Sequence, residues 1–419
     1  MTIIYFILIL GTTVFVHELG HFMFAKKYGV HVYEFSLGMG PRLFKFNRKN
    51  DETDYCIRLF PIGGFVQMAG EEVEVDEEIP EEKRLTSKPP FQRFMIMIAG
   101  VMMNFITAVI LLFFIGLFNT VSLNNVYIDG STVEGLNNGD KIVAINGNFV
   151  NNYDKLALEM TVVGNKDFTI TVKNNDGKKS KINIKPIEVG SSYLPVGKDY
   201  GFSVLDLNIN ESNIKGLKKD YKIVKVNDIE ITNYDMLLNE LVEIEDEFKL
   251  TVKDKKGKEK EFNIKIKEKK EDTTLGFSYG FYLKGNPQKG VVAGIKYSVA
   301  KFFSSIEQMV FTVVYLITGK LSLSMMSGPV GIYNIVGAVS TAGFVSVISL
   351  LCLICINVGF INLLPFPAFD GGHVVFIIIE KIKGSKVDPK IENTIHTIGF
   401  ILLMILMVVI TYNDIIKLI

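Results

Sequence analysis

Residues 13–25 read Thr13-Val14-Phe15-Val16-His17-Glu18-Leu19-Gly20-His21-Phe22-Met23-Phe24-Ala25, and no other charged residue stands between residues 1 and 25. A run this apolar and this long predicts a helix that crosses a bilayer, which needs roughly 20 residues. It lacks the basic start of a cleaved leader, and cleavage would discard the histidines, so it is expected to be retained. On a helix His17 and His21 are i and i+4, so both imidazoles leave one face and can grip one Zn²⁺. Glu18 lies beside them, placed to take a proton from a metal-bound water. Ionisable groups are costly in hydrocarbon, so their presence there marks a functional site.

The other 394 residues agree with a membrane protein. The chain has 419 residues, no net charge and 48% hydrophobic residues, and its mean hydropathy of +0.29 is too high for an ordinary soluble protein. Nothing in the charge points to nucleic acid. The three cysteines, Cys56, Cys352 and Cys355, exclude a disulfide scaffold; Cys352 and Cys355 read as small buried residues or as a thiol pair. Four spans are expected, at residues 1–26, 92–118, 341–366 and 394–416, with an amphipathic interfacial helix and linker at 290–330, where Lys296, Lys301 and Glu307 interrupt the apolar run. Basic residues crowd the segments 27–91 and 367–393, which places both on the cytoplasmic side and the long segment between the second and third spans outside. The acidic run from Glu71 to Glu82 reads as a solvated loop.

The outside segment repeats itself. Lys141-Ile142-Val143, Asn146 and Tyr153-Asp154 recur without a gap as Lys222-Ile223-Val224, Asn227 and Tyr234-Asp235. Each copy continues into a helical stretch and two alternating strands. Asn175-Asp176-Gly177 and Lys255-Lys256-Gly257 supply the turns, and Gly201-Phe202 and Gly276-Phe277 follow. Residues 135–147 resemble the PDZ signature in its circularly permuted bacterial form, so two α+β PDZ-like domains are expected at 119–190 and 199–283. Such modules either bind peptide C-termini along a sheet edge or serve as a spacer or steric filter.

The third span ends Asn357-Val-Gly-Phe-Ile-Asn362-Leu-Leu-Pro365-Phe-Pro367-Ala-Phe-Asp370-Gly371-Gly372. Pro365 and Pro367 cannot continue a regular helix, and Gly371 and Gly372 are expected to turn the chain sharply. Irregular backbone at membrane depth persists only where protein buries it or it lines a wet cavity. Asp370 is therefore expected on the same side of the membrane as the histidines. Two histidines and one carboxylate leave a fourth position for water, the pattern of a catalytic zinc site.

Taken together, HELGH in the first span, NxxPxPxxDGG in the third and PDZ-like modules between them resemble the site-2 protease family of intramembrane zinc metalloproteases, in its bacterial RseP/RasP group. Residues 34–41, 61–68 and 327–332 also match that group, so the resemblance covers nearly the whole chain. It implies one Zn²⁺ per chain held by His17, His21 and Asp370, with Glu18 as general base. It implies that Asn362 hydrogen-bonds the substrate backbone or the developing oxyanion. A membrane re-entrant β-hairpin at about 31–68 would present Gly63, Gly64 and Phe65 to an unwound substrate. Gly100 and Asn104 match a GxxxN motif for close helix packing. The implied substrates are single-span membrane proteins in the bacterial cytoplasmic membrane: anti-sigma factors already trimmed by another protease, or remnant signal peptides. Val101 stands where the family usually has proline. His31, His373 and His396 are left out of the ligand set. Two other classes compete with this reading: a zinc transporter or sensor, which lacks a ladder of polar residues through the other spans, and a silent PDZ scaffold, which has no need of Glu18.

Overall fold

The computed structural model describes the chain except residues 1, 50, 72–77, 123–125, 132, 191–197, 201, 206, 213, 233–235, 238–239, 242–243, 245, 269–274, 279–280, 284–286, 342 and 417–419. Half of the acidic run, Gly201 and the Tyr234-Asp235 pair of the repeat fall outside the described residues. The chain divides into two compact units, residues 1–121 with 288–419, and residues 122–287.

In the first unit the helices are α1 (Thr2–Lys27), α2 (Pro90–Phe118), α3 (Val291–Ile317), α4 (Pro329–Thr341), α5 (Phe344–Leu363), α6 (Asp370–Lys383) and α7 (Pro389–Ile416). Five of these, α1, α2, α3, α5 and α7, are long and apolar enough to cross a membrane, against the four expected. The addition is α3. Its charged residues Lys296, Lys301 and Glu307 lie in its first 17 positions, and the uncharged remainder keeps its mean hydropathy at 1.3. This helix also packs into the bundle: Gly294 backs onto Gly116 and Phe113, and the rings of Phe302 and Phe105 meet edge to face at 5.2 Å. The molecule is thus a polytopic α-helical membrane protein.

Two apolar clusters fill this unit, and α1 threads both. Ile9 belongs to one, with Ala108, Leu112, Val336 and Cys355. Ala25 belongs to the other, with Val32, Phe35, Val66, Ile96 and Ile377. His17 and His21 lie on the stretch of the helix whose Phe15, Leu19 and Phe22 pack on the second cluster. Cys352 and Cys355 are buried and free, as small core residues would be.

Strands β1 (Val32–Asn47) and β2 (Asp54–Met68) form the expected hairpin, but each bends back on itself. Residues 34–37 pair on one side with 64–67 and on the other with 54–57, which in turn pair with 44–47. The lateral order is therefore 64–67, 34–37, 54–57, 44–47, and the Gly64–Gln67 stretch is an edge. Glu34, 2% exposed, pins the fold-back by pairing with Arg58 and Arg42 at 2.6 Å each.

The second unit carries two sheets of the same design. Lys141–Ile145 pairs with Phe168–Lys173, which pairs with Lys179–Ile184; Lys222–Val226, Glu247–Lys253 and Glu259–Lys265 repeat that order. The register slips after Ile142 in one copy and after Ile223 in the other. Asn146 and Asn227 adopt left-handed φ of 48° and 53°. Each amide N–H donates to a strand carbonyl, of Thr169 and Lys249 respectively, and each side-chain oxygen accepts that residue's N–H at 2.8 and 2.9 Å. Each sheet covers its own apolar core. The segment expected to close the second module does otherwise. Leu275–Ser278 and Phe281–Leu283 pair back onto Ile187–Gly190 and Ile128–Ser131, and Phe281 joins the core of the first sheet.

Candidate metal centre

Three donor atoms from three turns of chain converge inside the membrane unit. His17 Nε2 and His21 Nε2 are 3.2 Å apart. Asp370 Oδ2 lies 3.2 Å from the first and 3.4 Å from the second. Donors about 2.0–2.1 Å from one tetrahedral ion stand about 3.3 Å from each other, so this triangle has the size of one face of such a site. The donor chemistry also fits. His21 Nδ1 donates to the carbonyl of Ile96 at 2.9 Å, which leaves Nε2 with its lone pair free. Asp370 Oδ2 is buried with no hydrogen-bond donor, an arrangement costly for a carboxylate unless a cation meets it. Both histidines are under 9% exposed.

Glycines let the elements come this close. Gly20 lies against the Ala99 backbone, so α1 and α2 touch main chain to main chain. At the next residue, a Cβ at Gly100 would run into the His21 ring at Nε2 and come within 2.8 Å of His17 Cε1. The GxxxN motif thus serves the imidazoles as well as helix packing. Val101 leaves α2 unbroken from Pro90 to Phe118.

Asp370 is the first residue of α6, with Phe369 as its cap. This corrects the expectation of a glycine turn: neither Gly371 nor Gly372 has positive φ. They are helical, and they are glycines because the carbonyls of Leu364 and Phe366 lie over them where a side chain would stand. The bend falls instead at Ala368, with φ of 82°. Pro365 and Pro367 occupy this link, and α7 clamps it: the Ala368 N–H donates to His396 Nδ1 at 3.1 Å, and Pro367 rests on Gly399. His396 stands at the start of the fourth expected span, and nothing in its spacing shows that it holds the aspartate's loop.

Glu18 faces the hairpin edge. A Cβ at Gly64 would lie 3.4 Å from Glu18 Cγ, and the backbone N–H of Val66 is directed at the Glu18 carboxylate. Gly63 has φ of 90°. Phe65 stacks under the Arg58 guanidinium, 5.0 Å from it. Asn362 sits half-buried in the last turn of α5.

A second trio, His373, Glu392 and His396, has donor atoms close enough for a metal. It suits one poorly. His396 Nδ1 already accepts the Ala368 N–H, so its other nitrogen carries a hydrogen rather than a lone pair. The rings of His373 and His396 stack at 3.8 Å instead. His31 pairs through its ring with Tyr33, away from the three ligands.

The comparisons with known proteins follow the same lines. Residues 5–406 match the sequence model of Peptidase family M50. The zinc metalloprotease RasP of Bacillus licheniformis is 30% identical, with 99% of this chain and 98% of that protein aligned. RasP of Shouchella clausii is 29% identical over 100% of this chain and 99% of its own. The regulator of sigma-W protease RasP of Bacillus subtilis is 27% identical over 99% and 98%. With its buried His/His/Asp cluster set among apolar helices, the chain belongs to peptidase family M50, the intramembrane zinc metalloproteases.

Proposed function

We propose that the protein hydrolyses a peptide bond within or near the transmembrane segment of single-span membrane proteins, at a site near the cytoplasmic face of a bacterial cytoplasmic membrane. The observation that carries this is Glu18, next to His17 on α1 and with its Cγ 3.4 Å from where a Cβ would stand at Gly64 on the hairpin's edge. The basic residues crowding segment 27–91, which directly follows the histidine-bearing helix, support that face. His17, His21 and Asp370 would hold one Zn²⁺. When bound, it would supply Lewis acidity to a peptide carbonyl and to a water.

The remaining steps belong to the chain. Glu18 takes the proton of the attacking water and later delivers it to the leaving amine. Asn362, in the last turn of α5, hydrogen-bonds the substrate backbone or the oxyanion. A scissile bond inside a helix is shielded, so the substrate must first become extended. The edge at Gly63, Gly64 and Phe65 takes such a strand, and the missing side chain at Gly64 lets it approach Glu18. Gly371, Gly372, Pro365 and Pro367 hold Asp370 to the histidines. The exposed Phe44, Phe46, Ile57, Leu59 and Phe60 suit a hairpin that dips into lipid.

Anti-sigma-type proteins and remnant signal peptides are the substrate classes, the first supported by the name of the Bacillus subtilis relative. The two sheets of the second unit act as PDZ-like modules, the first about 119–190 and completed by the returning strands, the second beginning near 199. They bind peptide C-termini or exclude bulky substrates. Co-expression with a panel of tagged single-span proteins tests the core of this reading. Wild type should cleave at least one. Glu18→Gln should keep its zinc and lose cleavage by roughly 10²–10⁴-fold, the usual worth of a general base. A Glu18→Gln protein that cuts at the wild-type rate would remove Glu18 from the chemistry.

A further inference from the structure

Asn104 is wholly buried on α2, one turn beyond Gly100. Its amide lies 3.4 Å from His17 Nδ1, and its side-chain oxygen has no hydrogen-bond donor. The first of these has a chemical resolution. A histidine that ligates through Nε2 carries its hydrogen on Nδ1 and needs an acceptor there. The oxygen and nitrogen of an amide are told apart only by their partners. An amide nitrogen facing Nδ1–H would set donor against donor, while the oxygen turned to the same place accepts that hydrogen.

We propose that Asn104 is the positioning residue of His17: its side-chain oxygen accepts the Nδ1–H, fixing the tautomer and the ring plane that present Nε2 to the metal. This rests on the ligand set given above. It also gives the metal centre a symmetry of support that sequence spacing hides. α2 serves both imidazoles, through the Ile96 carbonyl for His21 and through Asn104 for His17. Gly100 stands between those two positions and keeps the space open for both rings. The GxxxN spacing then places the gap and the acceptor on one face of α2, since i and i+4 are neighbours on a helix.

The test is zinc affinity of the purified full-length protein, by chelator competition at neutral pH, with the absorption spectrum of the cobalt-loaded protein beside it. Asn104→Leu keeps the number and branching of the side-chain heavy atoms and deletes the acceptor; it should weaken zinc binding roughly 10–100-fold and alter the cobalt spectrum. Asn104→Asp restores an acceptor and should bind at least as tightly as wild type. A packing role alone would not separate the two variants in that order. Wild-type affinity in Asn104→Leu overturns the proposal, as does an Asn104→Asp protein that binds no better than Asn104→Leu. Should the leucine variant fail to fold, Asn104→Asp still decides: affinity below wild type overturns it. His17→Ala separates this inference from the one beneath it. Zinc lost in His17→Ala but kept in Asn104→Leu removes only Asn104, whereas zinc kept in His17→Ala removes the ligand set and the proposal together.

Discussion

Glycines inside the packed membrane helices and glycines in the turns of residues 122–287 serve opposite purposes. In the membrane unit Gly20, Gly100, Gly359, Gly371 and Gly399 all have ordinary negative φ or extended backbone, and each is pressed against a neighbour: the Ala99 backbone, the imidazoles, the Phe105 ring, the Leu364 carbonyl and Pro367. In the unit of 122–287, Gly147, Gly164 and Gly257 have φ of 83°, 60° and 78°, with nothing within 4 Å of a Cβ among the described residues. One set is chosen for what is absent at the Cβ, the other for the backbone angle. The reason is the solvent. Apolar helices gain little by leaving lipid for each other, so they associate through close backbone approach. Sheets in water associate by burying apolar faces, and their glycines are left for the turns.

The sharpest break of that contrast is a methyl group added to each kind. Gly100→Ala places a Cβ into the His21 ring, so an imidazole or a helix must move. Zinc binding should weaken by at least roughly tenfold, as displaced ligands do when their support is lost, and zinc content of the purified protein measures it. Gly257→Ala should leave zinc content unchanged and cost about 1–2 kcal/mol locally, because only the positive φ resists the side chain. Equal zinc loss in both, or in neither, would end the distinction.

A smaller effect tests the repeat inside 122–287. Asn146 combines a left-handed φ with the acceptor for the Thr169 N–H. Asn146→Ala loses both the hydrogen bond and the tolerance of that angle, about 1–2 kcal/mol together. The Thr169 amide should exchange its hydrogen faster by about tenfold, while the Lys249 amide, held by Asn227 in the other copy, should not change. Faster exchange at both would mean that the two sheets open as one cooperative unit rather than as two copies of a design.

The division between what the sequence told and what it hid follows the range of the interaction. His17, Glu18 and His21 were legible because their relation is a helical turn, and Asp370 because two prolines and two glycines single out its link. Asn146 and Asn227 betrayed the repeat by identity and spacing. What was not legible is what packing alone decides. The GxxxN motif suggested helix contact but not which side chains stand opposite it. The two glycines after Asp370 read as a turn, since sequence does not show the carbonyls lying over them. Nothing in the last strands of the second unit shows that they pair with Ile187–Gly190 and Ile128–Ser131, beside the first sheet's core. The hairpin's fold-back depends on a buried Glu34 with two arginines from its own strands, a tertiary match that alternation cannot reveal.

The least effect expected, and the one that probes the site most directly, concerns Ala368. It carries a φ of 82° that an L side chain resists, at a cost of about 1–2 kcal/mol. The angle persists because its N–H is held by His396 Nδ1 and the preceding Pro367 is seated on Gly399, both on α7. Ala368→Gly removes the steric cost but gives the unfolded chain more freedom, about 0.5–1 kcal/mol in the other direction. The net gain should be at most about 1 kcal/mol, read as a small rise in the thermal midpoint of the solubilised protein, with zinc affinity unchanged. A glycine variant that holds zinc more weakly would show that the tension in this link, and not only its clamp, keeps Asp370 against the histidines.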